Sequence, residues 1–390
     1  MTKTKILLTI FLTLFAAFLT YLFLPPLTPF SPLNSSSSSP VKNPPSSNYT
    51  ILGFLPYWNL KKLSPDSLSA LTNFAYFSLL LDESGSLVTH NNPREEEPGY
   101  TNYKRITKCL SSFPNPCPLP FLILTFVQAD QASLASLLSS PTSRQNAIKT
   151  ILSLLIESQA VGVNIDFEPL GNPPPSTRQN FTLFIKELSD KLSTLPNKSL
   201  SISIYPSAAS RPRLWDLAAL APSTNHFVVM TYDYTLPGDN NVGPNAPLRG
   251  AGSLFTHDIL TNLAEITKLV PSQKILLGIP LYGYEWQVDD TTKYIETSGR
   301  GSVASLARIQ ELIATDTLEL LWDRTTLTPY AIRRENGEVV SQIYYENLDS
   351  IKLKLDLVKS AGLGGIAIWA LGYEGYNPSL WSLFSSLNLN

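Results

Sequence analysis

The sequence predicts an α/β fold: a (β/α)8 TIM barrel with a small α+β insertion between its seventh and eighth strands. Three observations carry this reading. Eight short apolar runs read as buried parallel strands. Most are separated by stretches with helical periodicity. No G-x-G-x-x-G or G-x-x-x-x-G-K-[ST] follows the first run, so the competing doubly wound sheet has no nucleotide site to support it.

The elements follow in chain order. Lys3 and Lys5 precede the charge-free apolar run Ile6–Leu24. Its 19 residues approach the ~20 that cross a bilayer as a helix and exceed the ~7–15 of a signal-peptide core. The lysines place that end in the cytoplasm, so the remainder is exported. No clear A-x-A cleavage site follows. Residues 1–24 therefore read as an uncleaved signal anchor, with a cleaved signal peptide as the alternative. Residues 25–48 are a Pro/Ser-rich linker that would hold a folded domain, 49–390, off a membrane surface. The domain is expected to be extracytoplasmic, anchored through that helix or secreted if cleaved, and monomeric.

Composition removes several function classes. With 29 basic and 31 acidic residues the formal charge is −2, which leaves no basic excess for a nucleic-acid partner. Cys109 and Cys117 lie eight positions apart in a Pro-rich loop and could be a local disulfide or two thiols. His90, His226 and His257 are too few and too scattered for a His-rich metal centre.

The eight runs are Thr50–Leu55, Asn73–Leu81, Pro120–Phe126, Gly162–Phe167, Leu200–Tyr205, Phe227–Thr231, Ile275–Pro280 and Gly365–Trp369. Helical spacing fills Arg144–Ser158, Thr177–Leu195, His257–Val270 and Asn347–Ala361. The long gap from Trp286 to Tyr345 holds the expected insertion (about 287–345), with a helix near Ser302–Ala314 and strand-like pieces at Thr317–Trp322, Thr328–Arg333 and Val339–Tyr344.

In such barrels the chemistry sits at the C-terminal ends of the strands. In the fourth run, Asn164, Asp166 and Glu168 alternate with Val163, Ile165 and Phe167. Strand side chains alternate faces, so the polar row shares the barrel interior. Two carboxylates at i, i+2 in an apolar strand are costly unless paired or hydrogen-bonded. An ionised Asp166 would raise the pKa of Glu168 and keep it protonated as a general acid. A lone Asp-x-Glu is more often a strand end meeting water. Here carboxylates and aromatics also end the first run (Tyr57, Trp58), the sixth (Met230-Thr231-Tyr232-Asp233-Tyr234), the seventh (Tyr282-Gly283-Tyr284-Glu285-Trp286) and the eighth (Trp369). That gathering fits a sugar cleft.

These motifs resemble glycoside hydrolase family 18, which carries D-G-x-D-x-D-x-E on its fourth strand, M-x-Y-D on its sixth and a Trp ending its eighth. They align with Val161–Glu168, Met230–Asp233 and Trp369. Two family aspartates are replaced, by Val161 and Asn164. The branch resembling spore-cortex peptidoglycan hydrolases commonly has Asn there. That branch also shares Gly243-Pro244-Asn245-Ala246-Pro247-Leu248, the seventh-strand segment above and Tyr345-Glu346-Asn347-Leu348-Asp349-Ser350-Ile351. Its peptidoglycan-binding LysM repeats are not found in this sequence.

The resemblance implies a retaining glycosidase in which the substrate's acetamido oxygen attacks the anomeric carbon. Glu168 would serve as acid then base, Asp166 would orient the acetamido group, and Tyr232 would donate a hydrogen bond to its oxygen. Asp233 would contact substrate or Glu168, and Trp369 would floor the sugar subsite. Asn164 and Met230 join the substrate-binding set through the motifs. Tyr57, Tyr205 and Trp286 are weaker candidates for cleft walls. No metal or organic cofactor is implied. The expected partner is a polysaccharide, peptidoglycan or a chitin-like glycan; a catalytically silent glycan-binding protein of the same fold is the alternative.

Overall fold

The computed structural model describes residues 49–63, 65–112, 121–252, 255–297 and 299–389. The expected anchor (1–24) and linker (25–48), and the Cys109–Cys117 question, lie outside the described residues. Among the described residues no helix is long and apolar enough to cross a membrane.

The eight runs form one closed parallel barrel in simple sequential order. Its strands are β1 (Thr50–Pro56), β2 (Asn73–Leu81), β3 (Phe121–Gln128), β4 (Gly162–Ile165), β5 (Ser199–Ile204), β6 (His226–Val229) and β7 (Ile275–Pro280). Gly365–Trp369 closes the barrel between β7 and β1, pairing Gly365 with Thr50 and with Leu276. Each strand is buried on both faces, which is why the runs are continuously apolar. Side chains of Val163, Ile165 and Phe167 belong to the layer between barrel and helices. Phe167 lies parallel to Phe184 of the helix Pro175–Leu192, with centroids 5.9 Å apart. The barrel interior is filled by small and medium apolar residues including Leu52, Ala75, Ile123 and Ala367. Asn164 and Asp166 are buried on that inner side, as the alternation requires.

The insertion begins earlier than the expected 287. After β7 the chain continues almost directly into β8 (Tyr282–Gln287). It is followed by β9 (Ser302–Ser305), the helix Leu306–Ala314, β10 (Leu318–Asp323), β11 (Thr328–Glu335) and β12 (Glu338–Tyr344). These five strands make an antiparallel sheet in the order β9-β8-β12-β11-β10. The closing barrel strand, β13 (Gly365–Trp369), follows the helix Leu348–Ser360. The segment 345–351 builds the start of that helix. Asn347 and Ser350 form a reciprocal capping box, so two otherwise orphaned backbone donors are satisfied. Glu346 and Lys354 make an ion pair at 2.8 Å with both side chains 0% exposed, and Ser350 also donates to Glu346.

Candidate active site

A cavity of about 790 Å³ opens at the C-terminal ends of the strands. It gathers Asp166, Glu168, Tyr205, Met230, Tyr232, Asp233 and Trp369 from the sequence-predicted set. Three predicted residues stand elsewhere. Asn164 is fully buried below Asp166, donating to Ser203 at 3.0 Å and accepting from Ser201 at 2.8 Å. It is a satisfied amide beneath the cavity and does not line it. Tyr57 lies on a short 3-10 helix (Tyr57–Lys62), half-buried against the outer core and absent from the cavity lining. Trp286 is 0% exposed and sits among Tyr284, Ile332 and Tyr344 in the core of the inserted sheet. It cannot wall the cleft, because β8 has left the barrel rim by that point.

The ladder of β4 ends at Ile165, one turn of the pattern short of the predicted Phe167. Asp166 still donates its N–H to the Phe126 carbonyl. Beyond it, two glutamines hold the backbone of Glu168. The Gln128 and Gln131 amides donate to the Glu168 carbonyl at 2.9 and 2.7 Å. Their own oxygens accept from Glu168 N–H at 3.2 Å and Leu170 N–H at 2.7 Å. Gln128 ends β3. Gln131 opens a helix whose N-cap, Asp130, accepts from Ser133 N–H at 2.8 Å. A segment with no sheet partner is thereby fixed through its main chain.

Three carboxylates share the cavity, and burial is the first influence on each. It pushes Asp166 well above the ordinary carboxylate range, and the charge of Glu168 adds to this while the nearby Ser203 hydroxyl opposes it. Glu168 is also raised, by burial and then by Asp233, with Tyr205 hydrogen bonding acting the other way. The pair titrates as a unit that holds a proton above the usual range. The sequence had assigned the rise at Glu168 to Asp166. In the structure that repulsion acts on Asp166, while burial and Asp233 raise Glu168.

Asp233 is raised by burial but steadied by two phenols. Tyr282 and Tyr284 donate to its Oδ1 at 2.5 and 2.7 Å. Its backbone has φ 61°, and its N–H donates to Asn245 at 2.8 Å. Asn245 also donates to the Tyr282 carbonyl at 3.0 Å. The segment 243–248 thus locks Asp233 and β8 together. By contrast, Asp166 Oδ1 is buried with no hydrogen-bond partner among the described residues. Burial and neighbouring carboxylates also push the Tyr232 phenol far up, so it remains a donor.

The apolar floor is Trp369, edge-on to Phe77 at 4.8 Å and tilted against Phe54 at 6.0 Å. Trp58, 49% exposed, stands edge-on to Phe77 at 6.1 Å and extends this aromatic row outward. Phe54, Phe77, Ser203 and Arg213 are not singled out by the sequence, which places Tyr282 and Tyr284 at the seventh strand end without assigning them to hold Asp233. The tyrosines carried a usable signal, since positions 282 and 284 alternate with glycine and therefore share one strand face. Among the described residues no group of three or more His, Cys, Asp or Glu could hold a metal ion.

The family model for glycosyl hydrolases family 18 matches residues 50–374. The chain belongs to family 18. It is similar to the cortical fragment-lytic enzyme of Bacillus anthracis, 24% identical over 323 residues, 80% of this chain and 67% of that one. It is also similar to a class V chitinase of Arabidopsis thaliana, 26% identical over 261 residues, 63% of this chain and 67% of that one. A Bacillus subtilis glycosylase relative is 26% identical over 252 residues, and the match spans only 55% of its length. In fold, the chain is like the class V chitinase of Nicotiana tobaccum, with TM-score 0.74 at 18% identity, covering 88% of this chain and 99% of that one. This family 18 chain is a chitinase-like glycosidase on a TIM barrel, and it resembles the branch that includes the spore-cortex lytic enzymes.

Proposed function

We propose that this family 18 chain hydrolyses β-linked N-acetylglucosamine-containing glycan, above all peptidoglycan, by a retaining, substrate-assisted mechanism. One observation carries the reading: Asp166 Oδ1 is buried beside Glu168 in the cavity and has no hydrogen-bond partner among the described residues. Such an orphan is expensive in a folded chain unless a ligand supplies the donor. The acetamido N–H of a bound N-acetylglucosamine is such a donor. Held there, the acetamido oxygen faces the anomeric carbon, and the Tyr232 phenol donates to it. Glu168, kept protonated by burial and by Asp233, gives its proton to the departing glycosidic oxygen and then takes one from the attacking water. Trp369 stacks under the sugar ring. The apolar run Ile6–Leu24 would keep the enzyme at the outer face of a membrane.

Chitin oligomers are the second reading, favoured by the resemblance to class V chitinases. Full-length chain and its Glu168→Gln variant, each incubated with peptidoglycan and with chitin oligomers, separate the two by mass spectrometry of products. New N-acetylglucosamine reducing ends from peptidoglycan, lost in the variant, support the proposal. Products from chitin alone transfer the activity to chitin. Turnover by Glu168→Gln near the parent rate removes Glu168 as the acid, since losing it should cost several decades at ~1.4 kcal/mol each.

A further inference from the structure

Beside the main cavity, on the β4 and β5 side, lies a second cavity of about 300 Å³ lined by Gly171, Asn172, Arg178, Arg211, Pro212 and Arg213. Arg213 lines both cavities. Its guanidinium stands 5.0 Å over the ring of Tyr205, the phenol whose hydrogen bonding bears on Glu168. The second cavity therefore adjoins the substrate cleft.

Three arginines line this cavity and, among the described residues, no carboxylate does. None is in an ion pair among the described residues. Arg178 Nε donates only to the Arg213 carbonyl, at 2.9 Å, which ties the helix Pro175–Leu192 to the loop after β5 and leaves its fork free. Arg213 Nε is buried without a partner, and its backbone has φ 43°, a left-handed conformation uncommon outside glycine. The chain as a whole is slightly acidic, so this is a local concentration of positive charge. Like charges held together without an anion repel, and a buried guanidinium N–H left without an acceptor costs stability. Planar forked guanidinium groups match a carboxylate by paired N–H···O bonds.

We infer that the Arg178–Arg211–Arg213 cavity binds a carboxylate carried by the glycan, so that the enzyme selects acidic, lactyl- or peptide-substituted sugar chains over neutral ones. The inference rests on the proposed glycan activity and narrows its substrate. The carboxylate could be the lactyl acid of N-acetylmuramic acid itself or an acid of an attached peptide. In either case a neutral chitin oligomer lacks the group that would fill the cavity.

The test measures equilibrium binding to the full-length Glu168→Gln chain, with and without Arg211→Glu or Arg211→Lys. Arg211 is exposed and does not line the main cleft. The probes are a neutral N-acetylglucosamine tetramer, a peptide-free N-acetylglucosamine–N-acetylmuramic acid tetrasaccharide, and that tetrasaccharide carrying its peptide. Glu168→Gln alone should prefer an acidic probe. Arg211→Glu should lower the ratio of acidic to neutral affinity by about tenfold or more, the loss of one charge-assisted contact. Arg211→Lys should lower it less. Preference for the peptide-free probe identifies the lactyl acid; preference only for the peptide-bearing one identifies the peptide. No preference in Glu168→Gln, or a ratio unmoved by Arg211→Glu, overturns the inference. If the ratio moves but the parent chain cleaves no glycan, the carboxylate site stands and the hydrolase proposal falls.

Discussion

Gln128→Ala tests how Glu168, the proposed acid, is held. The backbone of Glu168 and Leu170 lies past the end of β4 and receives four bonds from Gln128 and Gln131. The substitution removes two of them, to the carbonyl and the N–H of Glu168. At about 1 kcal/mol each, global stability should fall by at most about 2 kcal/mol. The larger effect is on position. A displacement of ~1 Å at a reacting group can cost ~10²-fold in rate. Gln131 still grips the same carbonyl, so kcat should fall about ten- to a hundredfold, with a further drop in the double variant Gln128→Ala/Gln131→Ala. KM should hold, because the Trp369 floor and Asp166 are untouched. Steady-state kinetics on a soluble glycan, alongside urea denaturation at the assay temperature, separates the two effects. A raised KM with unchanged kcat would show that the glutamines shape the glycan cleft instead. A rate loss that simply follows the fraction unfolded would refute the positioning argument.

The charged groups give three more expectations. Asp233 helps raise Glu168, so it extends the range over which the acid stays protonated; Asp233→Asn should move the alkaline limb of the kcat–pH profile to lower pH, and an unmoved limb would remove Asp233 from that role. Lys354→Met would leave Glu346 as an unpaired buried charge, costing about 3–5 kcal/mol by chemical denaturation, whereas adding Glu346→Leu should recover most of it; a lone Lys354→Met near parent stability would argue that the pair is dispensable. Glu374 is pushed from 4.5 up to about 6, by burial first. A folded-state value above the unfolded one favours the protonated, folded chain, so the Glu374 contribution to stability is fully present below pH 4.5 and about 2 kcal/mol of it is lost as pH rises through about 6; Glu374→Gln should remove that component of the pH dependence, and an unchanged profile would assign it to other groups.

The barrel was legible because parallel strands buried on both faces leave an unbroken apolar signature. The inward row of β4 was legible for the complementary reason, since Asn164, Asp166 and Glu168 break that signature with period two. The start of the insertion was not. β7 ends at Pro280 and β8 opens at Tyr282, so the local pattern reads as one strand, and only the antiparallel pairing of Tyr284 with Tyr344, sixty residues on, separates them. Trp286 was misplaced by the same continuity. Its neighbours Tyr282 and Tyr284 reach Asp233 across about fifty residues of chain, a contact no local periodicity encodes. The arginine cavity was hidden likewise, because Arg178 lies in the helix Pro175–Leu192 and Arg211 in the loop after β5.

The three cavity carboxylates are treated unequally, and the inequality argues for how the site divides its work. Desolvation opposes the charge of all three, although only Asp166 is fully buried. Asp233 is given two phenolic donors and a backbone N–H anchored to Asn245. Glu168 is held firmly through its main chain, while its carboxyl stays half-exposed to the cavity and is touched by Tyr205. Asp166 is the most deeply placed, and one of its oxygens has no donor among the described residues. A fold that merely tolerated a polar cluster would satisfy the deepest group first, since that is where an unmade hydrogen bond costs most. Here the deepest group is the one left short. The missing donor is therefore expected from the substrate, and binding a glycan that brings an amide N–H to Asp166 would relieve the cost and lower its pKa together. Glu168 would then feel a more firmly ionised neighbour and keep its proton more tightly, so the acid would be best prepared only when the correct sugar is in place.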